Sequence, residues 1–500
     1  MDAFANLLMG FQIALSPYNL MIATVGIVLG TIIGVLPGLG GANGVAILLP
    51  VTFVMPHTSA IILLSCIYWG ALFGGAITSI LFNIPGEPWS VATTFDGHPM
   101  AKQGLSGQAL TAAFTSSFIG AAFAILLVTF FAPLIAEFSL KFGPPEFLGI
   151  QLLTFSSFVG LGGGSPVKTI ASILLGFILG AVGMDIISGQ LRLTFGTVEL
   201  MRGFSFVVAV IGLFGLGEIL LPVEEGLEFQ GAQTRIHWRL VLDTFRVLPR
   251  YWQTFARSAL IGAWMGLKPG GATPASFMSY GIAKKFSKTP EKFGTGVLEG
   301  VIAPETAAHA AGVSALLPMI TLGIPGSPTA AVMLGGLLIW GLQPGPMLFK
   351  ERPDFVWGLI ASMYTGNVIG VLIVLLFVPC FAAILRLPFA ILIPLIVYVC
   401  AIGAYAVSNS MMDIWYMLIF GVVGYFFKKL DYPIAPMVLA LVLGDMAESA
   451  LRQSLIMSQG SPLIFFTRPI TAVLVVLSLW LFLSPVLHPL LRRCWAGNRA

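Results

Sequence analysis

Two Pro-Gly pairs, Pro37-Gly38 and Pro85-Gly86, interrupt long apolar runs in the first half of the sequence. Two more, Pro269-Gly270 and Pro325-Gly326, interrupt similar runs in the second half. Proline lacks an amide donor and glycine adopts conformations that other residues avoid, so each pair ends one helix and lets another begin. In lipid, the backbone groups exposed by such a break stay unsatisfied unless the unwound chain is buried in protein or lines a cavity. If the flanking runs cross a membrane, the breaks dictate where its interior must be built.

Composition places those runs in a membrane. Charged residues make up 9% of the 500, hydrophobic residues 57%, and the mean hydropathy is +0.96. A soluble globular domain, a disordered chain, a disulfide scaffold and a nucleic-acid binder are all excluded by that balance. Cys66, Cys380, Cys400 and Cys494 are scattered and form no Cys-x-x-Cys pair, so neither a metal nor a redox cofactor is expected. Candidate apolar spans lie at 18–36, 60–82, 109–135, 146–162, 167–187, 203–222, 311–324 continued by 328–342, 355–379, 387–407, 412–427 and 470–489. The stretches 45–55, 258–267 and 432–444 are shorter and read as half-helices. The expectation is an all-α polytopic membrane protein with roughly eleven to fourteen membrane segments.

The breaks come in duplicate. GVLPGLGG (34–41) recurs as GLKPGGAT (266–273), 232 residues on, and NIPGEP (83–88) as GIPGSP (323–328), 240 residues on. Pro99-Met100 recurs as Pro346-Met347, and SSFIG (116–120) as TGNVIG (365–370). Five candidate spans separate the two halves' first breaks, and an odd number inverts the second half relative to the first. Charge agrees: 45–59 carries no Lys or Arg, whereas its counterpart carries Lys284, Lys285, Lys288 and Lys292. Two inverted-topology repeats, 1–223 and 258–500, are therefore expected. The linker 224–257 joins them and holds Arg235, Arg239, Arg246, Arg250 and Arg257. With Trp238, Leu240, Leu242, Phe245 and Leu248 interspersed, it reads as a cytoplasmic amphipathic helix. Inverted repeats with matching broken helices point to a secondary transporter whose site lies where the halves meet.

A helix that starts at a break presents free amides and a positive dipole end, which suits a carboxylate. The candidate substrate-binding residues are Gly38, Gly40, Asn43, Pro85, Gly86 and Ser90 in the first half. Lys268, Gly270, Thr273, Ser276, Gly326, Ser327 and Thr329 are their counterparts in the second. Ser, Thr and Asn are equally the ordinary N-cap residues, so capping is the competing reading. Glu87, Glu305 and His309 are candidates for a coupling ion, since charges at membrane depth are functional candidates. Asp96, in TTFDGHP, reads as a turn reaching the interface. GGGSPVKT (162–169) has Val167 where a phosphate loop needs glycine before its lysine, so transport energy is expected from an ion gradient or from a partner.

The strings GVLPGLGGANGVAILLP, NIPGEPWSVATTFDGHPMA, KPGGATPASFMSYGIAKKFSKTPEKFGTGVLEGVIAPE and LGIPGSPTAAVMLGGL resemble the large membrane subunit (TctA) of the tripartite tricarboxylate transporters, over roughly 18–490. The resemblance implies a multi-pass carrier of the bacterial inner membrane, moving in an elevator-like way. It implies two partners, a small TctB-like membrane subunit and a periplasmic TctC-like binding protein. Substrates would be di- or tricarboxylate anions such as citrate, tartrate or aromatic dicarboxylates, taken up by sodium or proton symport. Two departures stand out. After Ala-Pro-Glu the family commonly carries an asparagine pair where this chain has Ala308 and His309, and Lys268 stands where an apolar residue is expected. Both point away from citrate. A membrane-embedded enzyme using Glu305 and His309, or a passive anion channel, are the alternatives; the sequence displays no nucleophile for the enzyme.

Overall fold

The computed structural model describes residues 3–36, 39–161, 165–185, 188–217, 219–220, 224, 238–268, 270–384 and 389–497. Helices run α1 (Ala3–Ala14), α2 (Pro17–Val35), α3 (Gly40–Leu48, continued by a 3-10 turn Leu49–Val54), α4 (His57–Phe82), α5 (Val91–Lys102) and α6 (Ser106–Ser139). Next come α7 (Pro144–Leu161), α8 (Pro166–Gly180), a small hairpin pairing Gly183–Met184 with Leu191–Arg192, and α9 (Phe206–Val210) with a π turn Ile211–Leu216. The second half holds α10 (Trp238–Val247), α11 (Trp252–Gly266), α12 (Ala272–Phe286), α13 (Glu299–Ser314), α14 (Leu316–Leu322), α15 (Pro328–Ile339) and α16 (Pro346–Glu351). It closes with α17 (Pro353–Ile384), α18 (Phe389–Ser408), α19 (Met411–Lys429), α20 (Ile434–Met457), α21 (Ile464–Thr467) and α22 (Pro469–Gly497). Six of these, α2, α4, α6, α17, α19 and α20, are long and apolar enough to cross a membrane.

The helices sort into two packed bodies. In the inner one, α2 lies along α4 and α11 along α13. Gly30 and Gly34 press on the carbonyls of Ile67 and Ala71; Gly262 and Gly266 press on those of Ala307 and Ala311. Small residues four apart let helix backbones touch, the main packing device where lipid removes the hydrophobic drive between helices. From Gly30 to Gly262 is 232 residues and from Ile67 to Ala307 is 240, the offsets already seen at the breaks. The long helices exchange partners: α6 of the first half covers α13, with Gly120 on the Thr306 carbonyl. Helix α17 of the second half covers α4, where a Cβ added to Gly366 would sit 3.1 Å from the Cys66 sulfur. They meet where the Asn367 amide donates to the Phe118 carbonyl at 3.1 Å.

The outer body comprises α7–α9 and α18–α22. Helix α8 packs on α20, α19 on the π turn and α7 on α22. It touches the inner body through α3 and α15, the latter placing Gly335 against the Phe206 ring.

Three expectations need correction. The stretch 432–444 is no half-helix; it opens the 24-residue α20, whose polar end is fixed by ion pairs. There Arg192 and Arg452 both bridge Asp185 and Glu448, so charges that read as a segment end are neutralised within the fold. The segment 167–187 stops at Gly180, because the hairpin carrying Asp185 and Arg192 begins there. Pro99-Met100 lies inside α5 whereas Pro346 opens α16, so these positions are not equivalent. In the linker, α10 buries Val241 and Thr244, with Leu248 buried just beyond its end, and exposes Leu242 and Phe245. Arg235 and the side chains of Trp238 and Arg239 lie outside the described residues.

Candidate functional site

The second break of each half is built in one way. Asn83 (φ 59°) and Gly323 (φ 73°) end their helices in the left-handed conformation. The next amides, of Ile84 and Ile324, then reach back to the carbonyls of Thr78 and Pro318 at 3.4 and 3.1 Å. Each closes over seven residues, one more than the six-residue closure common at helix C-termini. The chain next passes a glycine with no room for a side chain. A Cβ on Gly86 would sit 2.6 Å from the Gly34 carbonyl oxygen and 2.8 Å from Gly75. On Gly326 it would sit 2.7 Å from the Gly266 oxygen and 2.7 Å from Ala315. Extended residues then start the following helix: Glu87 before the turn Pro88–Ser90, and Ser327 before α15.

Here the halves differ chemically. The Ser327 hydroxyl accepts from the Ala330 amide at 3.1 Å. Glu87 instead turns its carboxylate onto the N-terminus of α3, accepting from the Gly41 amide beside Gly40 (φ 52°). The anion-binding end expected in the first half is thus filled by the protein's own carboxylate. Ser90 serves Glu87, donating to its carbonyl at 2.8 Å and accepting from its amide at 3.2 Å, which is the capping reading.

Breaks from both halves converge. The Tyr68 hydroxyl of α4 donates to Ser327 Oγ at 3.3 Å. Thr329 Oγ1 lies 3.4 Å from the position a Cβ of Gly41 would take, so α3 stands beside α15. Ser276 of α12 donates to the Trp89 carbonyl at 2.6 Å, so α12 stands beside the first half's turn. The Gly270 amide donates to the Gly326 carbonyl at 3.0 Å, tying the second half's two breaks together. Asn43, Ser276, Ser327 and Thr329 are buried, whereas Pro85 and Thr273 are half-buried. Gly38 lies outside the described residues, as do Pro37 and Pro269. Lys268 is half-buried but folds back on its own helix, its ammonium 5.4 Å over the Trp264 ring, rather than into the convergence.

Glu305 is buried in α13 and is held by the other half. Thr93 donates to its Oε1 at 2.6 Å and Ser117 to its Oε2 at 3.1 Å. His309, one turn on, places Nδ1 3.2 Å from the Glu305 carbonyl and 3.6 Å from Oε2. Among the described residues no group of three His, Cys, Asp or Glu could hold a metal ion. Asp96 is not at an interface turn; it is fully buried within α5. It accepts from Tyr280 at 2.8 Å and from the amides of Gly294, Gly296 and Val297 at 2.9, 2.9 and 2.8 Å, fastening the loop before α13. Tyr68 and Ser117 escaped sequence reasoning because nothing in their own segments points to a partner 259 or 188 residues away.

These features define a multi-pass helical membrane protein whose two similarly built halves bring broken helices to a common buried centre of hydroxyls and backbone amides. The chain belongs to the TctA family: the family model described as Tripartite tricarboxylate transporter TctA family matches residues 20–439. An Agrobacterium vitis relative, described as an uncharacterized 52.8 kDa protein in the TAR-I ttuC' 3' region, is 39% identical over 481 residues. That match covers 96% of this chain and 95% of the relative. A second, described as an uncharacterized protein in the TAR-II ttuC' 3' region of the same organism, is 38% identical over 219 residues, 44% of this chain and 90% of the relative. No solved structure matches the chain.

Proposed function

We propose that the chain is the substrate-translocating subunit of a binding-protein-dependent secondary transporter in the bacterial inner membrane. It takes up di- or tricarboxylate anions on a sodium or proton gradient and catalyses no reaction. The reading rests on the convergence of breaks from both halves at the Tyr68–Ser327, Gly41–Thr329 and Ser276–Trp89 contacts. Together with a TctB-like membrane subunit, the chain receives its anion from a periplasmic TctC-like protein. Because Glu87 already occupies the start of α3, the substrate carboxylates go to the second half. There the amides and hydroxyls around Gly270–Thr273 and Gly326–Thr329 hold them. Lys268 can swing from Trp264 to add a charge. The inner body then slides against the outer body through the α3 and α15 contacts, in an elevator-like stroke.

The test is uptake of labelled citrate, tartrate, C4-dicarboxylates and aromatic dicarboxylates into vesicles holding the chain and its small partner, with and without binding protein, under separate sodium and proton gradients. Saturable uptake requiring one gradient is expected. Ser327→Leu and Thr273→Leu should each abolish it at normal expression, by filling the site with apolar bulk. Normal uptake in both variants would reject the site.

A further inference from the structure

Glu305 and His309 form a cluster that anion binding does not use. The carboxylate is buried, and among the described residues the one basic group within ion-pair reach is His309 itself. A carboxylate kept from water without a counter-charge is costly, so a proton or a cation must neutralise it during part of the cycle. The geometry favours a proton. Each carboxylate oxygen is already met by a hydroxyl at hydrogen-bond distance, 2.6 Å for Thr93 and 3.1 Å for Ser117, and no second carboxylate joins Glu305 and His309 in a metal-holding group among the described residues. The histidine supplies a second, independent observation. Its Nδ1 faces the Glu305 carbonyl, which can only accept, so Nδ1 carries the hydrogen and Nε2 is a bare acceptor. That Nε2 is buried and has no hydrogen-bond partner. The Phe73 ring lies tilted at 46° beside the imidazole, with centroids 5.0 Å apart.

We propose that Glu305, with His309 as its relay, takes up and releases the coupling proton. This rests on the transporter reading above and names its ion. The step balances simply: a hydronium ion on one side loses an O–H bond and leaves water as its proton forms an N–H bond to His309 Nε2 or an O–H bond to a Glu305 oxygen, and on the opposite side that bond breaks as water accepts the proton. Position supplies the coupling. Thr93 and Ser117 belong to the first half and Glu305 to the second, so protonation changes hydrogen bonds that join the halves. Thr93 lies on α5, directly after the turn holding Glu87, and α13 leads through α14 to Gly323 and Ser327.

Several ionisable groups on neighbouring elements are engaged elsewhere, among them His98 of α5, whose Nδ1 lies 3.2 Å from the Ile80 carbonyl. Tyr68 of α4 bonds Ser327, and Asp96 of α5 bonds Tyr280 of α12 and three amides. Glu299, on α13 itself, accepts from Thr254 of α11 at 2.6 Å, and Arg257 bonds that same threonine at 3.3 Å.

The experiment uses the full chain with its small partner in proteoliposomes and an anion from the panel above. It compares counterflow, the exchange of labelled for unlabelled anion without a gradient, with accumulation driven by an imposed pH gradient, while a trapped dye follows internal pH. Wild type should do both and move protons with the anion. Glu305→Gln should keep counterflow but lose pH-driven accumulation and proton movement. Thr93→Val should move the pH profile of counterflow alkaline by roughly one unit, because removing a donor to the carboxylate favours its protonated form. A merely structural role would leave that profile in place, and an unshifted profile overturns the proposal even if Glu305→Gln fails to fold. The proposal is equally overturned if Glu305→Gln still accumulates on a pH gradient, if Glu87→Gln uncouples instead, or if wild type responds to sodium alone. Absence of counterflow from wild type would reject the transporter reading itself.

Discussion

The Ser327 hydroxyl serves two structures at once, capping α15 and receiving the Tyr68 hydroxyl from the other half. Tyr68→Phe keeps the cap and removes one hydrogen bond of about 0.5–1.5 kcal/mol. We expect folding to be unaffected and the apparent KM for the anion to rise about two- to tenfold, read from initial uptake rates. Asp96→Asn should act differently, since an amide cannot accept from all four of its donors. The loop 287–297 should become cleavable in limited proteolysis, with a loss of about 1.5–3 kcal/mol for each charged hydrogen bond that is not replaced. Glu305 was legible in the sequence because a charge in an apolar helix is rare; its partners Thr93 and Ser117 were not, being small hydroxyls joined to it by tertiary packing. Asp96 misled for a related reason: Asp-Gly-His-Pro has turn chemistry, and the amides of 294–297 that fix it inside a helix lie about two hundred residues on in the chain.

Among the elements, the two glycine-packed hairpins α2–α4 and α11–α13 have no clearance. Gly262→Leu would drive a side chain into the Ala307 carbonyl, and overpacking of this kind costs about 1–3 kcal/mol. A lower unfolding temperature in detergent should report it, whereas Gly281→Ala, where nothing lies within 4 Å of an added Cβ, should not. Sequence marks such elements well where proline and glycine break them, because those residues act through the backbone and need no partner. It failed for α20 and for the end of α8, where the extent of the helix depends on the ion pairs joining Asp185, Arg192, Glu448 and Arg452 across the fold.

For the whole molecule, the proposed sliding of inner against outer body separates two cysteine pairs, tested with Cys66, Cys380, Cys400 and Cys494 replaced. Gly41→Cys with Thr329→Cys lies within the inner body, the facing atoms 3.4 Å apart; Ile47→Cys with Gly215→Cys bridges the bodies at 3.2 Å. Oxidation should spare uptake in the first pair and stop it in the second, with recovery on reduction; the opposite pattern would mean that the halves rock about the site instead. The matching breaks were legible in the sequence as a pair of offsets, but the exchange of α6 and α17 between halves was not, since nothing in a helix's own pattern says which neighbour it will cover. That exchange has a consequence for biosynthesis. Helix α4 ends at Phe82, and the helix that covers it begins at Pro353. Throughout the translation of everything between, the newly inserted first hairpin faces lipid on a surface shaped for protein. A nascent chain that stalls in the Arg-rich linker is therefore a client for membrane quality control, and the two halves expressed from separate genes should accumulate only together.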